Sequence, residues 1–189
     1  MTDRIQRIIE DVVTEVLKEV QSGSVAPPAR LIAIGSDHAG FQLKRSLIRF
    51  LTEELEMEPL DCGTFSEESV DYPDIAEKVA RSVSEGRCPR GIMIDGAGVG
   101  STMVCNRIPG VLAAPGFDLF TVRNSREHND ANLLVLGSNV VSSGEARRLV
   151  RVWLKTPFAG GRHARRVEKI RKLDPKGNRA STPPETYPQ

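Results

Sequence analysis

Short apolar runs alternate with segments of helical period from Leu31 to about Leu173, and this alternation limits the possible folds more than any other feature. Leu31-Ile-Ala-Ile34, Pro59-Leu-Asp-Cys62, Gly91-Ile-Met-Ile94, Val111-Leu-Ala-Ala114 and Leu133-Leu-Val-Leu136 have the length and composition of strands. Helices are predicted between them over 41–55, 75–84, 101–107, 118–124 and 144–155. Such alternation specifies an α/β domain, a doubly wound, mainly parallel five-stranded sheet with helices on both faces. Ligands on sheets of this kind bind beyond the carboxyl ends of the strands. The loops that begin at Gly35, Asp95, Pro115 and Gly137 are therefore the first places to seek a site.

The flanks differ in composition. Over residues 1–22, Ile5, Ile8, Ile9, Val12, Val13, Val16, Leu17 and Val20 form one apolar stripe at helical spacing, with charged residues opposite. Residues 23–30 have the Ser, Gly and Pro content of a linker. Residues 174–189 are rich in Pro, Gly, Ser, Thr and charge, and are expected to be poorly ordered. The net charge of +1 supplies no field for nucleic acid or an anionic membrane. No apolar run approaches the ~20 residues of a membrane span. The start of the chain lacks the layout of a secretory signal, and its acidic residues argue against a transit peptide. Cys62, Cys88 and Cys105 are widely spaced, odd in number and without a CxxC pair, which favours free thiols in a reducing cytoplasm and no metal site.

Four polar segments carry chemistry. Gly96-Ala-Gly-Val-Gly100 follows a strand and opens a helix, so its backbone N–H groups can approach an oxyanion or phosphate closely. Its G-x-G-x-G spacing is not the dinucleotide pattern. Ser36-Asp37-His38 follows the first strand. Arg126-Glu-His-Asn-Asp130 precedes the last. There His128 can exchange a proton near neutral pH and Asn129 can stabilise a developing oxyanion. In Gly160-Gly-Arg-His-Ala-Arg-Arg166, a helix would put Arg162 and Arg166 on one face as a phosphate clamp. Each segment also has an ordinary structural reading, as a turn, a cap, a buried histidine or a solvated basic face.

Together they are far more specific. Ile34-Gly-Ser-Asp-His-Ala-Gly-Phe-Gln-Leu-Lys44, Asp61-Cys-Gly-Thr64, Ser69-Val-Asp-Tyr-Pro-Asp74, Gly96-Ala-Gly-Val-Gly100, Ser125-Arg-Glu-His-Asn-Asp-Ala-Asn132 and Gly160-Gly-Arg-His163 occur in one order. Residues 31–173 resemble the B-type ribose-5-phosphate isomerases and the related galactose-6-phosphate isomerase subunits. The resemblance implies a Rossmann-like fold and no metal or organic cofactor. It also implies a homodimer or homotetramer with active sites between subunits. The implied reaction is aldose–ketose isomerisation of a phosphorylated sugar through a cis-enediolate, by default ribose 5-phosphate to ribulose 5-phosphate. By the same resemblance Asp37 and His38 contact substrate and Tyr72 lines the pocket. Gly96, Ala97, Gly98, Val99 and Gly100 present the loop to the enediolate. His128 assists ring opening, Asn129 binds the intermediate, and Arg162 and Arg166 hold the phosphate.

The sequence departs from the family at the base. Many members end the third strand with a cysteine; Asp95 stands there, and Ala97 replaces the usual hydroxyl residue. Other members place a Glu just past the loop, where this chain has Ser101. A carboxylate at 95 has the chemistry of a base if burial raises its proton affinity. The alternative is a sugar-phosphate-binding protein of the same fold without turnover. The stripe over residues 1–22 resembles the encapsulation peptides that lead enzymes into bacterial microcompartments, with shell or cargo proteins as partners. Its structural alternative is a helix packed on its own domain.

Overall fold

The computed structural model describes residues 30–173. The helix expected over 1–22, most of the linker and the 174–189 tail lie outside the described residues. The elements run β1 (Leu31–Ser36), α1 (Phe41–Leu55), β2 (Glu58–Asp61), α2 (Tyr72–Ser84), β3 (Gly91–Asp95), α3 (Val99–Cys105), β4 (Ala113–Pro115), α4 (Leu119–Glu127), β5 (Leu133–Gly137), α5 (Ser143–Lys155) and α6 (Arg162–Arg171). All five strands pair in parallel, in the order β2-β1-β3-β5-β4. Successive side chains of a strand face opposite ways, and each central strand feeds two cores. Ile32, Ile34, Ile92, Ile94, Leu134 and Leu136 pack beneath α1, α4 and α5 around the fully buried Trp153. Ala33, Met93, Leu133 and Val135 pack against α2 and α3 on the other face.

Boundaries shift where local chemistry competes with periodicity. α2 starts at Tyr72, not Ile75, because Pro73 fits the first turn, where a missing N–H costs nothing. α3 starts at Val99, two residues early, and α4 continues to Glu127 from an Asp118–Thr121 capping box. β4 starts at Ala113 because the Val111 amide closes a turn onto Ile108 O and the Leu112 amide bonds the Asn132 side chain. The chain leaves β1 toward β2 on one side, and from β3 it continues toward β4 and β5 on the other. The switch between these directions falls at the carboxyl ends of β1 and β3.

Candidate active site

The carboxyl ends of β1 and β3 bring one group of the expected residues together. Asp37 follows β1, and its N–H donates to Ile94 O of β3 at 3.0 Å. Its Oδ1 accepts from the Gly40 N–H at 2.9 Å. Burial pushes the Asp37 carboxyl above the usual carboxylate range; the Gly40 amide and His38 act against this, and the negative charge of Asp95 adds to it. His38 accepts the Val70 N–H through Nδ1 at 3.3 Å, which puts the neutral ring's proton on Nε2. Tyr72, first residue of α2, lies against the glycine loop. A Cβ on Gly100 would meet the Tyr72 ring at 2.6 Å, so only glycine at 100 lets the ring lie there.

Asp95 has an inward role that its position in the sequence did not disclose. Its Oδ1 accepts from the Ala97 N–H at 2.9 Å and from the Gly98 N–H, and its Oδ2 accepts from the Ser101 N–H at 3.0 Å. The side chain is 5% exposed. The carboxylate thus sits inside the loop, behind the N-cap Gly98, and accepts an amide of the first turn of α3, which accounts for the helix's early start. The loop must fold back tightly to do this, and Gly98 takes a left-handed φ of 79° there. Two of the amides expected to face a substrate oxygen, those of Ala97 and Gly98, point at Asp95 instead. Leaving a buried amide unpartnered costs about 1–3 kcal/mol, so withdrawing Asp95 from three of them is unfavourable.

Lys44 was not anticipated as a contributor. It is 1% exposed, and its Nζ donates to Asp61 Oδ1 at 2.5 Å and to Thr64 O at 2.6 Å. Those bonds fix the loop after β2, whose Gly63 O and Thr64 N–H bond the backbone of Ser36. The signal was in the sequence: Lys44 lies on the buried stripe of Leu43, Leu47 and Leu51. A cation on an apolar face needs an internal partner.

The remaining expected residues gather elsewhere. His128 caps the carboxyl end of α4, and its Nδ1 accepts from the Asn124 amide at 2.8 Å. Its ring stacks on His163 of α6, centroids 4.0 Å apart and planes 8° from parallel. Asn129 donates to Asn124 Oδ1 at 3.1 Å and borders a groove of about 250 Å³ with Asn106, Ser125 and Ile170. Arg162 and Arg166 are exposed on α6, and neither meets a carboxylate among the described residues. Asp130 anchors α6 here by accepting from Arg126 at 2.9 Å and from Arg171 at 2.8 Å. Burial, helped by the positive charges around it, pulls the His163 imidazole below the usual histidine range.

These two groups lie at opposite ends of the sheet. β4 and β5 are parallel, so α4 must carry the chain from the carboxyl end of one to the amino end of the other. Its nine residues span about 13 Å. Asn132 O accepts from the Gly91 N–H, which fixes the His128–Asn132 segment beside the amino end of β3. Asp37 and Asp95 lie beyond the other end of the same strand. No group of His, Cys, Asp and Glu suited to a metal occurs among the described residues, and no described helix is long and apolar enough to cross a membrane. A pocket of about 540 Å³, lined by Arg123, Glu127, Arg151 and Lys155, flanks α4 and α5 and contains none of the expected residues.

The sequence profile of the Ribose/Galactose Isomerase family matches residues 32–170. Ribose-5-phosphate isomerase B of Escherichia coli (strain K12) is 40% identical over 147 residues, 78% of this chain and 98% of that protein. The structure resembles that of ribose-5-phosphate isomerase B from Clostridium thermocellum, with a TM-score of 0.74 and 49% identity. The match covers 76% of this chain and 96% of that one. The type B ribose 5-phosphate isomerase of Trypanosoma brucei matches with a TM-score of 0.74 and 41% identity, over 77% of this chain and 99% of that one.

Proposed function

The chain belongs to the ribose/galactose isomerase family, and from that premise we propose that it interconverts the aldose and ketose forms of a phosphorylated sugar, with ribose 5-phosphate and ribulose 5-phosphate as the first pair to test. The observation that carries this reading is the content of the two groups. One offers paired carboxylates, His38, Tyr72 and a glycine loop at a topological switch point. The other offers two arginines without carboxylate partners among the described residues, beside a histidine and an asparagine. The first suits proton transfer and stabilisation of an enediolate oxygen. The second suits a phosphate, whose binding far from the reacting carbons supplies positioning energy.

The two groups lie too far apart in one chain for a small sugar phosphate to touch both. We propose that they meet across a homodimer, the amino-end group of one protomer completing the carboxyl-end group of its partner. Exposed Val99 and Met103 on α3 and Phe120 on α4 supply apolar surface for such an interface. In the assembled site, His128 assists ring opening, Asn129 binds the intermediate, and Arg162 and Arg166 hold the phosphate. A carboxylate at the sheet end, Asp37 or Asp95, moves the proton between C2 and C1. Residues 1–22 are proposed to direct a cytoplasmic enzyme into a bacterial microcompartment, supported by their apolar stripe. Diffuse fluorescence of a fusion to residues 1–22 in a shell-forming host would count against that targeting.

The deciding measurement is a turnover screen over phosphorylated aldoses, with product detected as ketose. Ribose 5-phosphate is expected to turn over without added metal or cofactor. Binding with no turnover on any pentose or hexose phosphate would overturn the isomerase reading.

A further inference from the structure

We infer that Asp37 is the carboxylate that carries the proton between the two carbons, and that Asp95 is a positioning residue that shapes the glycine loop beside it. This deepens the isomerase reading and rests on it. The two side chains share the same end of the sheet, one strand apart, with the Asp37 backbone bonded to the strand that ends in Asp95. Their hydrogen bonding separates them. Both oxygens of Asp95 are occupied by amides of the loop and of the first turn of α3. Reaching a substrate carbon would require Asp95 to leave three N–H groups unpartnered. It would also release the left-handed turn at Gly98 that the side chain holds in place.

Asp37 accepts from the Gly40 N–H at Oδ1 at 2.9 Å and from the neighbouring Ala39 amide, so fewer amides hold its carboxylate than hold that of Asp95. It sits in the turn that presents His38, next to Ser36, whose backbone bonds the loop that the buried Lys44 holds. Burial and the neighbouring Asp95 raise its proton affinity, the condition a carboxylate needs to remove a carbon-bound proton near neutral pH. The negative charge of Asp95 therefore acts on catalysis through Asp37 as well as through the loop.

The step balances within the substrate and one carboxylate. Asp37 takes the proton from C2 of the open-chain aldose. The C2–H electron pair becomes the C1–C2 double bond, and the carbonyl pair moves onto O1. The hydroxyl proton on O2 passes to O1, the double-bond pair takes the proton from Asp37 at C1, and the C2 carbonyl forms. No oxidant or reductant is needed.

The test compares full-length wild type, Asp37→Asn and Asp95→Asn with ribose 5-phosphate, measuring kcat, KM, the pH profile and the melting temperature. Asp37→Asn is expected to lower kcat by about 10³-fold with KM within a few-fold. Its melting temperature should hold or rise at pH 7, since the variant removes a buried ionisation. Asp95→Asn is expected to lower the melting temperature and raise KM, because an amide can satisfy only part of the loop. The acid limb of its kcat profile should remain. Loss of turnover in Asp95→Asn with melting temperature and KM unchanged would overturn the assignment. So would Asp37→Asn retaining wild-type kcat, while the isomerase reading stood. Failure of wild type to turn over any aldose phosphate it binds would overturn both.

Discussion

Lys44, Asp37 and Asp95 are ionisable side chains buried within one loop cluster, and their different hydrogen bonds give them different work. Lys44 is paired with Asp61, which is itself partly exposed, and also bonds a backbone carbonyl. Replacing one partner of a buried pair leaves the other uncompensated. Lys44→Met is therefore expected to destabilise the fold by about 2–4 kcal/mol in urea unfolding, at the lower end because water reaches Asp61. It should also raise KM, since the loop that bonds Ser36, next to Asp37, loses its clamp. A stability change below about 0.5 kcal/mol would show that Lys44 contributes only packing. The cysteines contribute little chemistry by comparison. Burial pushes the Cys88 thiol up to about 11 and Cys105 up to about 12, so neither forms thiolate near neutral pH.

At the scale of elements, α6 is the least embedded of the described helices. Only His163 and Val167 are buried, and its ties are the histidine stack and the Arg126–Asp130–Arg171 bridge. The Arg162 Nε contact with His163 Nε2, at 3.4 Å, favours a neutral His163 ring that accepts there. Its lowered proton affinity makes stability depend on pH. In the unfolded chain the imidazole protonates near 6.5, while in the folded protein it protonates only at lower pH. Stability is therefore full above pH 6.5 and falls as the pH drops below it through the folded value. His163→Gln is expected to flatten that limb in thermal unfolding measured across pH 7 to 5. An unchanged acid limb would place the sensitivity elsewhere. In the same pH range wild type should show a rising KM, as α6 carries the arginine pair away from its seat.

For the whole molecule, the proposed completion of the site across two protomers makes self-association part of the proposed function. Mixing two inactive variants tests this directly. Asp37→Asn breaks the carboxyl-end group and Arg162→Ala the amino-end group. Subunits re-assorted at random should recover about a quarter of wild-type activity, because half of the dimers are mixed and each has one intact site. No recovery after verified subunit exchange would mean that each chain builds its site alone.

The degree to which each level was legible follows from the range of the forces that set it. Strand cores, the span of α1 and the parallel sheet were readable because strand and helix periods are local properties of side-chain spacing. The early starts of α2 and α3 were less so; one depends on Pro73 and the other on a side chain four residues before the helix. Asp37, His38, Tyr72 and the glycine loop do share one end of the sheet, and His128, Asn129, Arg162 and Arg166 share the other. The sequence placed these residues in order but carried no sign of that division.

By itself, then, the sequence determined the α/β class, the family and the inventory of polar residues, because these depend on short spacings and residue types. The tertiary structure decided two further things. One is that α4 returns the His128 segment to the amino end of the sheet, a consequence of parallel pairing that only the assembled strands impose. The other is that the carboxylate of Asp95 takes three amides of its own loop and helix turn while that of Asp37 is held by fewer. A side chain's direction is set by the backbone folded around it, and no spacing along the chain records it.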